Sequence, residues 1–553
     1  MPYRSARRRA AILVTLCLSV FLIVVDNTIV NVALPTLVRD LGATTSQLQW
    51  IVDAYTLVFA GLLLAAGTMG DRLGRKGVLM GGLAWFAFMS FAASRTTSAS
   101  ELIATRALMG VGAALIFPAT LAILFNVFTE PRERARAIAL WAATGGVSVA
   151  LGPVTGGALL EHFAWGSVFL VNVPVALAAL VLVGILVPTS RDLDAPPLDA
   201  KGLVLAVGAV GLLVATIIEA PDWGWEAPLT IAGFAGAAAL LAAFVGWERR
   251  APHPMLDVSV FGDRRFSAAS LAITGAFFAL FGFVFTVTQY FQFVRGYSTL
   301  SAGAHTVPFA LFTAVSAPLS PVLVRRLGTN RVVATGLASM AAGFVVAAVT
   351  SADSSYGIMV LAMFFMGTGL GLVMAPATDS IMGSLPPERA GVGSAVNDTT
   401  RELGGTLGVA VVGSVFASRY GGGIVHGLGA LHAPARAISI ARQSIGAADV
   451  VAAHAPTPAA AETVRSIAAG SFMSGFHAGS VVAAAVAVAT AVAALVLLPR
   501  HVGGPASRPE GALEGAPAGT GVDTGAPAEA QAHAEADARS IGERRELEPV
   551  SHD

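Results

Sequence analysis

Apolar residues run along this chain in blocks of about twenty, far longer than the stripes of a soluble amphipathic helix, and Gly, Pro, Asp and Arg break the blocks apart. Read from the N-terminus, the blocks predict spans near 11–35, 48–70, 78–95, 99–125, 136–160 and 166–188. Two follow at 202–219 and 229–247, then six at 267–293, 302–324, 332–350, 358–380, 389–418 and 477–498. A helix of that length crosses the hydrocarbon core and satisfies its own backbone polar groups there. The pattern predicts an all-α membrane protein with about fourteen transmembrane helices. The first block follows RSARRRA and has the charge and apolarity of a signal peptide, but no small-residue cleavage site follows it and the run continues past Asp26. It reads as an uncleaved first span.

Composition sharpens the class. Of 553 residues 55% are hydrophobic and 12% charged, with mean hydropathy +0.72, against roughly 25% charged residues in a soluble domain. A formal net charge of zero says little about partners, and nucleic acid is not expected among them. Cys17 is the single cysteine, which excludes a disulfide within the chain and a cysteine zinc cluster. Neither lysine, Lys76 nor Lys201, sits in a phosphate-cradling GxxxxGK[ST] loop, and no HExxH or nucleophile elbow occurs. An enzyme is not expected, nor any metal or cofactor.

Charge alternates between connections. RSARRR, DRLGRK, EPRERAR, ERRAPHP with GDRR, and RRLGTNR fall in one set, while RDLGATTSQ, SRTTSAS, EAPDWGWEAP, VRGYSTLS and TSADSSYG fall in the other. Because cytoplasmic loops retain Lys and Arg, this puts both termini in the cytoplasm of a cell-membrane protein. The stretch 419–476 is then an extracellular loop, and 501–553, rich in Gly, Ala, Pro and Glu, a disordered cytoplasmic tail. An internal repeat appears at an offset of about 255 residues: DRLGRKGVLMGG from Asp71 matches RRLGTNRVVATG from Arg325, and MGVGAALIFPAT from Met109 matches MGTGLGLVMAPAT from Met366. Residues 1–190 and 261–500 thus form two parallel six-helix bundles, with two inserted helices and their cytoplasmic linkers in 191–260.

Ionised side chains inside a span cost roughly 2.5–3.5 kcal/mol on insertion scales, so those present are candidates for chemistry. Asp26 and Asn31 lie in VVDNTIVNVALP and Arg106 in LIATRALMGVGAAL; Asp26 and Arg106 form either a cavity pair or a structural ion pair. Asp53 follows Trp50 at the start of the second span, where a solvated face and a cavity position are both open. GVGSAVNDTTRELGGTLG places Asp398 and Glu402 four apart on one helix face with Arg401 off it. These three either trade protons or only neutralise one another. GTMGDRLGRKGVLMGG gathers Gly67, Gly70, Asp71, Arg72, Gly74, Arg75 and Lys76 into one short connection that can act as a latch, Asp71 facing the positive N-terminal end of span 13 and the cations meeting carboxylates or lipid phosphates. GGVSVALGPVTGG places Ser148, Gly152, Gly156 and Gly157 around Pro153, a face for close packing and a bend.

Over nearly all of the chain to about residue 500, these motifs resemble the major facilitator superfamily, and within it the fourteen-helix drug:proton antiporters of the EmrB/QacA type. The resemblance implies two bundles rocking about a central cavity, with protons entering and a small lipophilic, drug-like molecule, neutral or cationic, leaving. It implies that Asp26 and Arg106 are the coupling pair, that Asp71 and its cations form a cytoplasmic gate, that Gly152 and Pro153 belong to the antiporter motif, and that Asp53 and Asp398 match acids of some relatives. A monomer driven by the proton gradient is expected. A narrow exporter of a metabolite or self-made antibiotic is the alternative, and a membrane enzyme or receptor the remote one. Two departures stand out: Arg325 replaces the latch acid in the second half, and span 10 lacks an acid.

Overall fold

The computed structural model describes residues 6–191, 197–385 and 390–500. Among them are fourteen helices long and apolar enough to cross a membrane, and the chain is a multi-pass membrane protein. The first bundle comprises α1 (Ala6–Leu41), α2 (Thr45–Leu73), α3 (Arg75–Ala93), α4 (Ala99–Val127), α5 (Pro131–His162) and α6 (Ser167–Leu186). The inserted pair is α7 (Ala200–Trp223) and α8 (Pro228–Glu248). The second bundle comprises α9 (Arg264–Val294), α10 (Thr299–Leu327), α11 (Thr329–Ala348), α12 (Tyr356–Met382) and α13 (Ala390–Ala430). Short helices α14 (Ala435–Ala441) and α15 (Ile445–Ala453) then lead to the last span, α16 (Pro458–Leu497). Pro308, Pro318 and Pro321 interrupt α10, which breaks at Thr306 and tightens to a 3-10 turn over Ala317–Leu319.

Each bundle has its own apolar core, and the same close approach recurs in both. A Cβ on Gly82 of α3 would stand 3.2 Å from the carbonyl of Gly112 on α4, and one on Gly336 of α11 would stand 2.8 Å from that of Gly369 on α12. Small residues at these crossings let backbones touch where lipid supplies no hydrophobic drive.

The stretch 419–476 differs from the expected loop. It is mostly helical, because α13 continues to Ala430 and α16 begins at Pro458. Phe416, Tyr420, Ile424 and Leu428 repeat every four residues and are buried, with Phe416 and Phe472 of α16 in edge contact at 4.9 Å. The glycines at 421–423 hide that stripe in the sequence. Tyr420 also donates its hydroxyl proton to Ala441 O at 2.9 Å, fastening α14 to the bundle. The tail, 501–553, lies outside the described residues.

Three prolines inside helices free a carbonyl four residues earlier, and each freed carbonyl receives a hydroxyl from another helix. Pro35 frees Asn31 O, which accepts Thr288 at 2.9 Å; Pro221 frees Ile217 O, which accepts Ser414 at 2.7 Å; Pro376 frees Leu372 O, which accepts Ser320 at 3.0 Å. Hydroxyl side chains thus replace the missing backbone donors inside the membrane.

Candidate functional site

A buried ion pair sits where α1, α4 and α6 meet. Asp26 and Arg106 are both 0% exposed and bonded at 2.5 Å. Asn172 of α6 donates Nδ2–H to the other carboxylate oxygen at 2.7 Å. Arg106 also donates Nε–H to Ile51 O at 3.1 Å, and its guanidinium lies 4.2 Å from the Tyr55 ring centroid. An ion pair out of water must be fully partnered, because each ion carries a desolvation penalty of several kcal/mol. The carboxylate meets that need with two donors, and the guanidinium meets it in part, lying over an aromatic face while its Nη2 has no hydrogen-bond partner among the described residues. Of the two readings, the cavity pair does not fit this conformation, in which both side chains are closed off from solvent. Asn31 does not join it, since its side chain donates to Asn27 O at 3.2 Å on its own helix.

Asp53 corrects the solvated reading. It is 0% exposed, and neither carboxylate oxygen has a hydrogen-bond partner among the described residues. Gln49, Asp53 and Thr56 share a face of α2, and the flanking two contact α13: Gln49 donates to Val409 O and Ala410 O, and Thr406 donates to the Thr56 hydroxyl at 3.0 Å. Packing across the bundle seam therefore removes Asp53 from solvent.

On α13, Asp398 and Arg401 pair at 3.7 Å with side chains 14% and 25% exposed. Arg401 was expected off the acid face, but its length bridges the turn, and it also donates to Thr378 of α12 at 3.2 Å. Glu402 Oε2 is buried without a hydrogen-bond partner among the described residues. The three therefore do not simply cancel: one acid is loosely paired, the other not hydrogen-bonded through Oε2.

Asp71 of the predicted latch accepts from Arg75 at 2.8 Å within its own connection. Residues 386–389, at the N-terminal end of α13 that Asp71 was expected to face, lie outside the described residues. Gly74 there has φ +108°, a conformation that favours glycine. Arg75 N donates to Ser190 O at 3.0 Å, and Lys76 caps Gly184 O at the end of α6 at 2.8 Å. Arg72 is exposed, a Cβ on Gly70 would meet open space, and one on Gly67 would only graze Pro118.

The inter-bundle hydrogen bonds gather at the opposite end. Among the described residues they lie in the half of the molecule nearer the α1–α2 connection: Thr45 to Gln443 O, Gln49 to α13, Thr288 to Asn31 O, Gln292 to Val32 O and Thr299 to Gly157 O. The α5 motif serves this closure. Ser148 is buried, Gly152 and Gly156 pack on Thr28 and Ile29 of α1, while Gly157 abuts Thr299 and the Pro153 carbonyl abuts Gly303 of α10. At the α2–α3 end no hydrogen bond joins the bundles among the described residues.

Asn172, Gln49, Thr288 and Gln292 went unnoticed in the sequence, where ionisable residues and the glycine motifs drew the attention. Asn172 does carry a signal, as a single polar residue in the apolar run FLVNVPVAL.

Residues 16–409 match the Major Facilitator Superfamily. The chain is 36% identical over 481 residues to the multidrug efflux pump LfrA of Mycolicibacterium smegmatis, covering 87% of this chain and 94% of that one. It is 36% identical over 410 residues to the tetracenomycin C resistance and export protein of Streptomyces glaucescens, covering 74% and 76%. A crystal structure of a bacterial homolog of the human lysosomal transporter Spinster, inward-facing and unoccupied, superposes with TM-score 0.61 at 19% identity over 89% of this chain and 98% of that one.

Proposed function

This chain belongs to the Major Facilitator Superfamily, and from that premise we propose that it is a proton-coupled efflux transporter, a drug:proton antiporter of small lipophilic molecules in the cytoplasmic membrane. It is a transporter rather than an enzyme. The basic connections, including α2–α3, face the cytoplasm with both termini, which makes the closed end extracellular and this conformation inward-open. A monomer driven by the proton gradient needs no cofactor.

One observation carries the reading: two acid–arginine pairs, Asp26–Arg106 and Asp398–Arg401, stand in membrane helices of opposite bundles, the first occluded and the second partly exposed. In the inward-open form Asp398 and Glu402 release protons to the cytoplasm as cargo binds. In the outward-open form external protons reach them and Asp26, weaken the hold on cargo and release it. Asp26, freed from Arg106, is the step that rocking of α1 against α4 controls. Each inward proton contributes roughly 2.3 kcal/mol per 100 mV and about 1.4 kcal/mol per pH unit. Exchange of one proton for one monocation cancels the potential, leaving about tenfold accumulation per pH unit.

Uptake of ethidium into inside-out vesicles with an acid-inside pH gradient, before and after nigericin, tests this. The gradient should drive uptake and nigericin should abolish it; uptake indifferent to nigericin refutes proton coupling. A narrow exporter of a self-made antibiotic is the second reading, favoured by the similarity to the tetracenomycin exporter. Resistance of an expressing strain to one antibiotic class only would support it over the broad pump.

A further inference from the structure

The two halves end their latch connections on the same backbone frame but with different charge. Gly328 repeats the left-handed conformation of Gly74, with φ +89°. Thr329 N donates to Arg500 O at 2.9 Å, as Arg75 N does to Ser190 O, and Asn330 donates to Leu495 O at 3.3 Å where Lys76 caps α6. The acid is lost: Arg325 stands in the place of Asp71 and Thr329 in that of Arg75. Arg325, Arg326, Arg331 and Arg500 are all exposed, and none of their side chains has an ion-pair or hydrogen-bond partner among the described residues.

Beside this cluster lies a cavity of about 520 Å³ between α11 and α16, walled by Leu327, Ala338, Val488, Val492 and Leu495, with Arg331 at its rim. Thr335 adds no polarity, because its hydroxyl donates to Arg331 O and Val332 O on its own helix. Val488, Val492 and Leu495 are about half exposed on a span, so this wall faces lipid. Arg331 to Ala338 is seven residues, a slot roughly 10 Å deep along the helix axis.

We propose that this slot binds an anionic phospholipid, its phosphate held by Arg331 with Arg326, Arg325 and Arg500 and the start of one acyl chain lying between α11 and α16. Guanidinium clusters at the boundary of a membrane helix pair match phosphate in charge and geometry, and the apolar slot beneath matches an acyl chain. The acid-rich segment 501–553 follows directly and could meet the same arginines, but its Gly, Ala, Pro and Glu residues offer little to fill an apolar slot.

Native mass spectrometry of the full chain, released from nanodiscs of phosphatidylglycerol or of phosphatidylcholine with the same acyl chains, tests the site. Phosphatidylglycerol should be retained preferentially, Arg331→Gln should lower its retention about fivefold, and Arg250→Gln, a charge lost elsewhere, should not. Ala338→Trp, which fills the slot while keeping every arginine, should lower retention of both lipids. Equal retention of the two lipids, or indifference to Arg331→Gln or to Ala338→Trp, overturns the proposal. So does a rise in phosphatidylglycerol retention after Glu510→Gln with Glu514→Gln, which would put the tail on the rim instead.

Discussion

The first bundle holds its acid–arginine pair as a closed unit, and the second holds its own loosely. Asp26 and Arg106 come from different helices, touch at 2.5 Å and are fully buried, with Asn172 and Tyr55 completing their surroundings. Asp398 and Arg401 come from one turn of α13, stand 3.7 Å apart and remain partly exposed. A pair between helices reports on how those helices sit and must break when they move. A pair within one helix survives such motion and answers to solvent instead. Within the proposed antiport, the contrast assigns the gating of Asp26 to conformation and the direct exchange of protons to α13.

Substitutions can break that contrast in order of size. Arg106→Met leaves a buried carboxylate uncompensated and should cost about 3–5 kcal/mol, read as lost yield and a lowered thermal midpoint in detergent. Asp26→Leu combined with Arg106→Met should restore much of the stability without transport, since an apolar pair of similar volume removes both desolvated ions. Asn172→Ala should cost about 1.5–3 kcal/mol, the range for a hydrogen bond to a charged group. Equal loss in the Asp26→Asn background would show that Asn172 acts elsewhere, which a double-mutant cycle measures. Thr288→Val uncovers the carbonyl that Pro35 freed and removes an inter-bundle tie, a loss of about 1 kcal/mol. Labelling of a cysteine introduced at Thr36 should then speed up as the extracellular end opens more often. Asp398→Asn should be the mildest, within about 1 kcal/mol in stability, yet should abolish exchange. A large stability loss there would erase the distinction between the bundles.

Much of this was legible before any coordinates. Blocks of twenty apolar residues locate fourteen spans because lipid demands that length, and the chance of a charge inside one is low enough that Asp26, Arg106 and Asp398 stand out. Asp53 was not legible, because its burial comes from α13, some 350 residues away in sequence, packing over Gln49 and Thr56. The extension of α13 was hidden because glycines within a helix resemble a loop, while the tertiary stripe through Tyr420 and Leu428 decides otherwise.

Proton release on adding tetraphenylphosphonium to weakly buffered purified protein tests the central claim most directly. If cargo displaces protons from the α13 acids, the native chain acidifies the medium in proportion to cargo bound, and Asp398→Asn with Glu402→Gln binds the cation while releasing no protons. Release undiminished in that double variant would contradict proton exchange at α13.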